Sequence, residues 1–121
     1  MAANDISGLA GVIIWTEHFE PMLTFYRDVL GLSPRGVKQD FVNFDWDGVR
    51  LTISVHAGVE GKSSDPLRMM LNFTVADINA TYERLLVSGV RFTRPPSPEP
   101  FGLVATFNDP DGNTLQLMQF A

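Results

Sequence analysis

The sequence predicts an α+β domain made of two halves of the same design, each running strand, helix, then three strands. Three observations predict it. The stretch Asp45-Trp46-Asp47-Gly48-Val49-Arg50-Leu51-Thr52-Ile53 is answered half a chain later by Asp109-Pro110-Asp111-Gly112-Asn113-Thr114-Leu115-Gln116-Leu117, so a D-x-D-G turn twice precedes an alternating strand. One stretch of helical period lies upstream of each turn. Most of the remaining segments alternate apolar and polar residues with period two.

Residues 10–16 read as the opening strand. A helix follows, with Phe19, Met22, Leu23, Tyr26, Val29 and Leu30 on one face, Pro21 in its first turn and Gly31 at its end. Strands are expected at 33–38 and 40–45, then after the first D-x-D-G turn. Residues 57–66, rich in Gly, Ser and Asp, read as a connecting loop. The second half opens with a β-rich stretch at 67–76. Its helix starts from Asp77 as N-cap, carries Ile78, Tyr82, Leu85 and Leu86, and stops by Gly89. Strands at 90–94 and 103–108 precede the second turn, and the proline-rich stretch 94–100 between them reads as a stiff, polyproline-like loop.

A chain of 121 residues is one domain. The boundaries implied are module one at about 8–56, a connection at about 57–67 and module two at about 68–120. With 45% hydrophobic and 19% charged residues the composition is that of a folded soluble protein. The longest apolar run, 9–15, is interrupted by Gly11 and is far shorter than the roughly 20 residues of a membrane span. Nine basic against fourteen acidic residues give a net charge of −5, which disfavours nucleic acid and anionic lipid as partners. The absence of cysteine removes disulfides, thiolate nucleophiles and cysteine-ligated zinc. Residues 1–11 lack a basic stretch followed by an apolar one, so no secretion signal is expected and the cytoplasm is the default location.

Side chains two apart on a strand share a face. Val12, Ile14, Leu51, Ile53, Val55, Leu71, Phe73, Val75, Leu115 and Leu117 make one wholly apolar face, expected under the helices. The opposite face mixes Gly11, Ile13 and Trp15 with Arg50, Thr52, Ser54 and His56, then Met70, Asn72 and Thr74 with Thr114, Gln116, Met118 and Phe120. Such a mixture suits a curved sheet that presents a cleft to a small molecule. It also suits an ordinary solvated face of an antiparallel sheet.

Paired strand-helix-three-strand modules with FYRDVLGL at 25–32, Asn72-Phe73-Thr74-Val75-Ala76-Asp77-Ile78 and DPDGNTLQL at 109–117 together resemble the vicinal oxygen chelate superfamily. That group includes glyoxalase I, bleomycin-resistance proteins, fosfomycin-resistance enzymes and extradiol dioxygenases. The resemblance covers nearly the whole chain, from about Gly8 to Phe120. It implies two βαβββ modules curled into an incomplete eight-stranded barrel, one helix per module on the outer face, and a homodimer with its clefts at or near the contact between copies. It also implies a divalent metal held by His, Gln or Glu on the first and last strand of each module. Those positions fall here on Gly11, Thr52, Met70 and Gln116. Glycine offers no side chain, threonine is a weak neutral ligand, and methionine is a soft thioether, so only Gln116 remains and no metal or other cofactor is expected.

Other residues bear on chemistry. Arg50 offers a guanidinium fork for a ligand carboxylate, phosphate or sulfate, or a cross-strand ion pair. Trp15 and Phe120 suit stacking on a planar ligand or simple packing. His56, the sole candidate base on the mixed face, lies at the rim, roughly 13 Å along the strand from Thr52. His18, beside Glu17, reads as a loop or helix-start residue, and Trp46 as a turn residue at a cleft mouth. Ser54 and His56 lack an orienting acid for a triad, and Gly61-Lys62-Ser63 lacks the glycine five residues earlier that a phosphate loop needs.

The leading expectation is therefore a metal-free protein, similar to the bleomycin-resistance branch, that binds a small organic molecule through Trp15, Arg50, Thr52, His56, Met70, Asn72, Gln116, Met118 and Phe120. The alternative is a lyase or dioxygenase of the same superfamily with a displaced metal, or a metal-free catalyst using His56 and Arg50. A third is an interaction module with a vestigial cleft.

Overall fold

The computed structural model describes residues 5–121; residues 1–4, part of the stretch read for a secretion signal, lie outside it. Strand β1 (Gly11–Thr16) leads into α1 (Phe19–Leu23), which continues as a π-helical segment (Thr24–Val29), followed by β2 (Gly36–Lys38), β3 (Phe41–Trp46) and β4 (Val49–Val55). After residues 56–69 the order repeats as β5 (Met70–Thr74), α2 (Ile78–Val87), β6 (Phe92–Glu99), β7 (Gly102–Asn108) and β8 (Thr114–Phe120).

The two halves form two open four-stranded sheets, ordered β1-β4-β3-β2 and β5-β8-β7-β6. In each, the first and last strands of the module run parallel and the other pairs are antiparallel. The registers are equivalent. Gly11 pairs with Arg50 and Ile13 with Thr52, as Met70 pairs with Thr114 and Asn72 with Gln116. The turns explain the repeat: Asp47 and Gly48 both adopt positive φ, the geometry of a two-residue hairpin loop, and Gly112 does so in the second copy.

Helix α2 follows expectation, with the Asp77 side chain accepting from the Ala80 N–H at 3.1 Å. The first helix does not remain α-helical. From Thr24 it widens to π-winding, with the Leu30 N–H reaching the Phe25 carbonyl at 2.8 Å. Arg84 of α2 donates to the carbonyls of Val29 and Leu30 at 3.0 and 3.1 Å, so module two caps the helix of module one.

The proline-rich stretch is a strand rather than a loop. It pairs with β7 through bulges between Phe92 and Arg94 and between Arg94 and Ser97. Strand β6 is the outer edge of its sheet, where missing N–H donors break no ladder.

Phe19, Met22, Leu23 and Tyr26 join Val42, Phe44, Leu51, Ile53, Ile78, Leu85, Phe107, Leu115 and Leu117 in one core shared by both modules. The face expected under the helices is only partly covered, since Val12 is 39% and Val55 41% exposed. Val12 lies on β1, a sheet edge, and Val55 is the last residue of β4; Leu71 and Phe73 on β5, the edge of the other sheet, are only partly buried. No helix among the described residues is long and apolar enough to cross a membrane.

Candidate functional site

Each sheet has a helix-side face and an open face. The helix-side faces share one core and bring Trp46 of β3 against Phe73 of β5 at 6.0 Å between ring centroids. The open faces therefore look away from that core.

On the open face of module one, Thr52 lies between Ile13 and Asn43 in the register. Trp15 meets His56 edge-on at 5.1 Å. The Nδ1 of His56 accepts the Gly58 N–H at 2.9 Å, so a neutral ring carries its proton on Nε2 and presents a donor to the rim rather than a base. Arg50 pairs across the strands with Asp45, Nε to Oδ1 3.5 Å, so its charge is already partly balanced. Ser54 donates to the Asp40 carbonyl at 2.8 Å and is not oriented toward a triad.

On the open face of module two, Gln116 donates through Nε2 to the Thr106 hydroxyl at 3.1 Å and sits beside Asn72. Met118 lies between Thr74 and Val104, Met70 marks the start of β5, and Phe120 packs on Phe101 at 5.6 Å. Of the nine residues expected to contact a ligand, module one supplies Trp15, Arg50, Thr52 and His56, and module two supplies the other five. A single chain gathers them on two faces rather than one.

Three residues on these faces escaped sequence reasoning. Thr106 fixes Gln116, and Arg94, in register with Thr106, pairs with Glu99 at 2.8 Å. Asn43 is the third. Its Oδ1 is buried without a hydrogen-bond partner, the one such side-chain atom found among the described residues. Its position opposite Thr52 follows from strand alternation, but its unpartnered state needs the packing.

Behind the open faces, the modules are clamped. The Tyr26 hydroxyl donates to Asp109 Oδ2 at 2.7 Å, and the same carboxylate accepts from the backbone of Asp111 and Asn113 and from the Asn113 side chain, each at 2.9 Å. Burial pushes the Asp109 carboxyl up, against the pull of these bonds. Burial, then the Asp109 charge, pushes the Tyr26 hydroxyl well above its ordinary value. His18 lies 3.4 Å from Asp111 and 3.6 Å from Glu17, a surface cluster beside the clamp.

A concavity of about 530 Å³ opens between the helix-side faces, lined by apolar side chains from both modules with Arg50, Asn72, Thr74, Thr81 and Arg84 among them. Only Arg50 and Asn72 of the nine expected contacts touch it.

The family profile described as Glyoxalase/Bleomycin resistance protein/Dioxygenase superfamily matches residues 8–117. The chain belongs to this superfamily. It is 23% identical over 119 residues to the uncharacterized protein YetH of Bacillus subtilis (strain 168), covering 94% of this chain and 99% of that one. Among solved structures it superposes on a glyoxalase/dioxygenase from Nostoc punctiforme with a TM-score of 0.83 at 16% identity, covering 100% and 96% of the two chains. It also superposes on TnmS3, an antibiotic binding protein from Streptomyces sp. CB03234, with a TM-score of 0.79 at 21% identity, covering 98% and 100%. At these identities the structural likeness speaks for the fold.

The superfamily's metal positions do not fit a divalent ion here. A Cβ built on Gly11 runs into the backbone carbonyl oxygen of Arg50 and comes within 2.9 Å of its carbon and 3.0 Å of its nitrogen. Position 11 therefore lacks not only a ligand but the room for one. Thr52 and Met70 are poor donors to hard ions, and the Gln116 amide is already fixed by Thr106. Among the described residues no group of three or more His, Cys, Asp or Glu side chains is placed to hold a metal.

Proposed function

We propose that the chain is a metal-independent member of its superfamily that binds a small organic molecule against its open sheet faces. Trp15, Arg50, Thr52 and His56 contribute from module one, and Met70, Asn72, Gln116, Met118 and Phe120 from module two. Because one chain holds these sets on two faces, two copies pair so that module one of each meets module two of the other. The exposed apolar groups on the open faces, Ile13 at 53% and Phe120 at 56%, support such a pairing. An antibiotic binding protein among the structural neighbours makes sequestration a chemistry this scaffold carries.

The observation that supports the reading is the passage of the Arg50 carbonyl against Gly11, which leaves no room for a ligating side chain at position 11. The test is elemental analysis of protein purified without chelator, with titration of manganese, iron, nickel and zinc. Neither bound metal nor metal affinity is expected, and stoichiometric metal overturns the proposal. A small-molecule library screened by thermal shift should then yield ligands that raise Tm by mass action. Light scattering should give about twice the 13.4 kDa chain mass.

A further inference from the structure

The concavity between the helix-side faces shares only Arg50 and Asn72 with the nine residues expected to hold a ligand on the open faces, and it is too large to be a packing defect. Well-packed interiors hold few voids larger than a water molecule, whereas about 530 Å³ lies within the range of small-molecule pockets. Its wall includes Leu51, Leu71, Phe73, Leu85 and Leu117, an apolar surface that a ligand would take out of water. The half-exposed Val12 and Trp46 border it, so it is open to solvent.

Arg84 supplies the polar group. Its Nη1 and Nη2 donate to the carbonyls of Val29 and Leu30, which are neutral acceptors, and it takes part in none of the ion pairs found among the described residues. Two bonds of a possible five leave N–H groups for another acceptor, and no carboxylate pairs with the charge. The two carbonyls fix the guanidinium in place, so holding an anion there costs little further side-chain entropy. Arg50, the other cation on the lining, is partly balanced by Asp45 at 3.5 Å. A largely apolar chamber with one positioned guanidinium that no carboxylate pairs matches a ligand with an apolar body and a single anionic head.

We infer that this chamber binds an amphipathic monocarboxylate, its apolar body between the two modules and its carboxylate on Arg84. The chamber shares Arg50 and Asn72 with the proposed open-face site, so its test is read on Arg84 and Leu71, which that site does not use.

The test is calorimetric titration of the full chain with decanoate, below its aggregation concentration, against decanol and decylamine. Decanoate should bind one per chain at least tenfold more tightly than decanol, with decylamine weakest. Arg84→Gln should erase the preference for decanoate over decanol, and the charge-matched control Arg91→Gln, on an exposed residue away from the lining, should keep it. Arg84 also braces the π-helical segment, so Leu71→Trp, which fills the chamber from an edge strand, serves as a second variant. It should abolish binding of both decanoate and decanol. Equal affinity for decanoate and decanol, no binding of decanoate, or undiminished binding to Leu71→Trp overturns the inference.

Discussion

The two D-x-D-G turns are near copies in sequence and unlike in use. In module one, Asp45 is exposed, reaches the Gly48 N–H only at 3.4 Å and otherwise faces Arg50 and Arg35 on the surface. In module two, Asp109 is 5% exposed and takes four hydrogen bonds, one of them from Tyr26 on the helix of the other half. A repeated motif thus places a chain reversal with a left-handed glycine at the same point of each module, while the loop around it, its burial and its energetic weight come from what the rest of the chain brings to it. Here a tyrosine in one module turns a hairpin of the other into the joint between them.

The largest effect follows from removing that joint. Asp109→Ala leaves the buried Tyr26 hydroxyl and the Asn113 donors without their acceptor and should cost about 3 kcal/mol in urea unfolding. Asp45→Ala, at the equivalent position, should cost no more than about 0.5 kcal/mol. Equal losses would show that the turns do the same job after all.

A pH series sharpens the contrast. The folded-state pKa of Tyr26 is raised above its unfolded value of 10.0, so its contribution is fully present below pH 10 and is lost as pH rises from there through the raised folded pKa. The urea midpoint of the wild-type chain should therefore fall above pH 10, by up to about 1.4 kcal/mol per pH unit for this one group. Tyr26→Phe should be less stable at neutral pH and flatter above pH 10. A wild-type midpoint that does not move between pH 9.5 and 11 would remove the clamp from the account.

An effect of opposite sign, smaller than the loss at Asp109, lies on the open face. Asn43→Leu replaces a buried oxygen without a partner and should stabilise the ligand-free protein by about 1 kcal/mol. The same change should weaken any ligand that donates a hydrogen bond beside Thr52. Stabilisation with unchanged affinity for every ligand found by thermal shift would make Asn43 a packing residue only.

Topology was legible because the repeat and the strand alternation are local signals, and the register of Gly11 with Arg50 and Met70 with Thr114 follows from them. Helix α2 was legible from Asp77 because a cap is built from residues a few positions apart. The π-winding after Leu23 was not, since its i to i+5 bonds leave the apolar period of the sequence looking helical, and the Arg84 that caps the segment is remote in sequence. Nor was β6, because proline content argues against a strand unless that strand is known to lie at an edge. For the site, alternation placed all nine expected residues on the open faces, but periodicity is blind to which module's face meets which. It was equally blind to the state of Asn43 and to the use of Arg50 by Asp45.

The contact at Gly11 also constrains what the position can carry. A ligating side chain can ordinarily be added to a strand without moving its backbone. At position 11 every substitution places a Cβ into the main chain of β4, whose pairing with β1 runs from Gly11 with Arg50 to Thr16 with Val55. A side chain of any kind at this position therefore requires the neighbouring strand to shift with it.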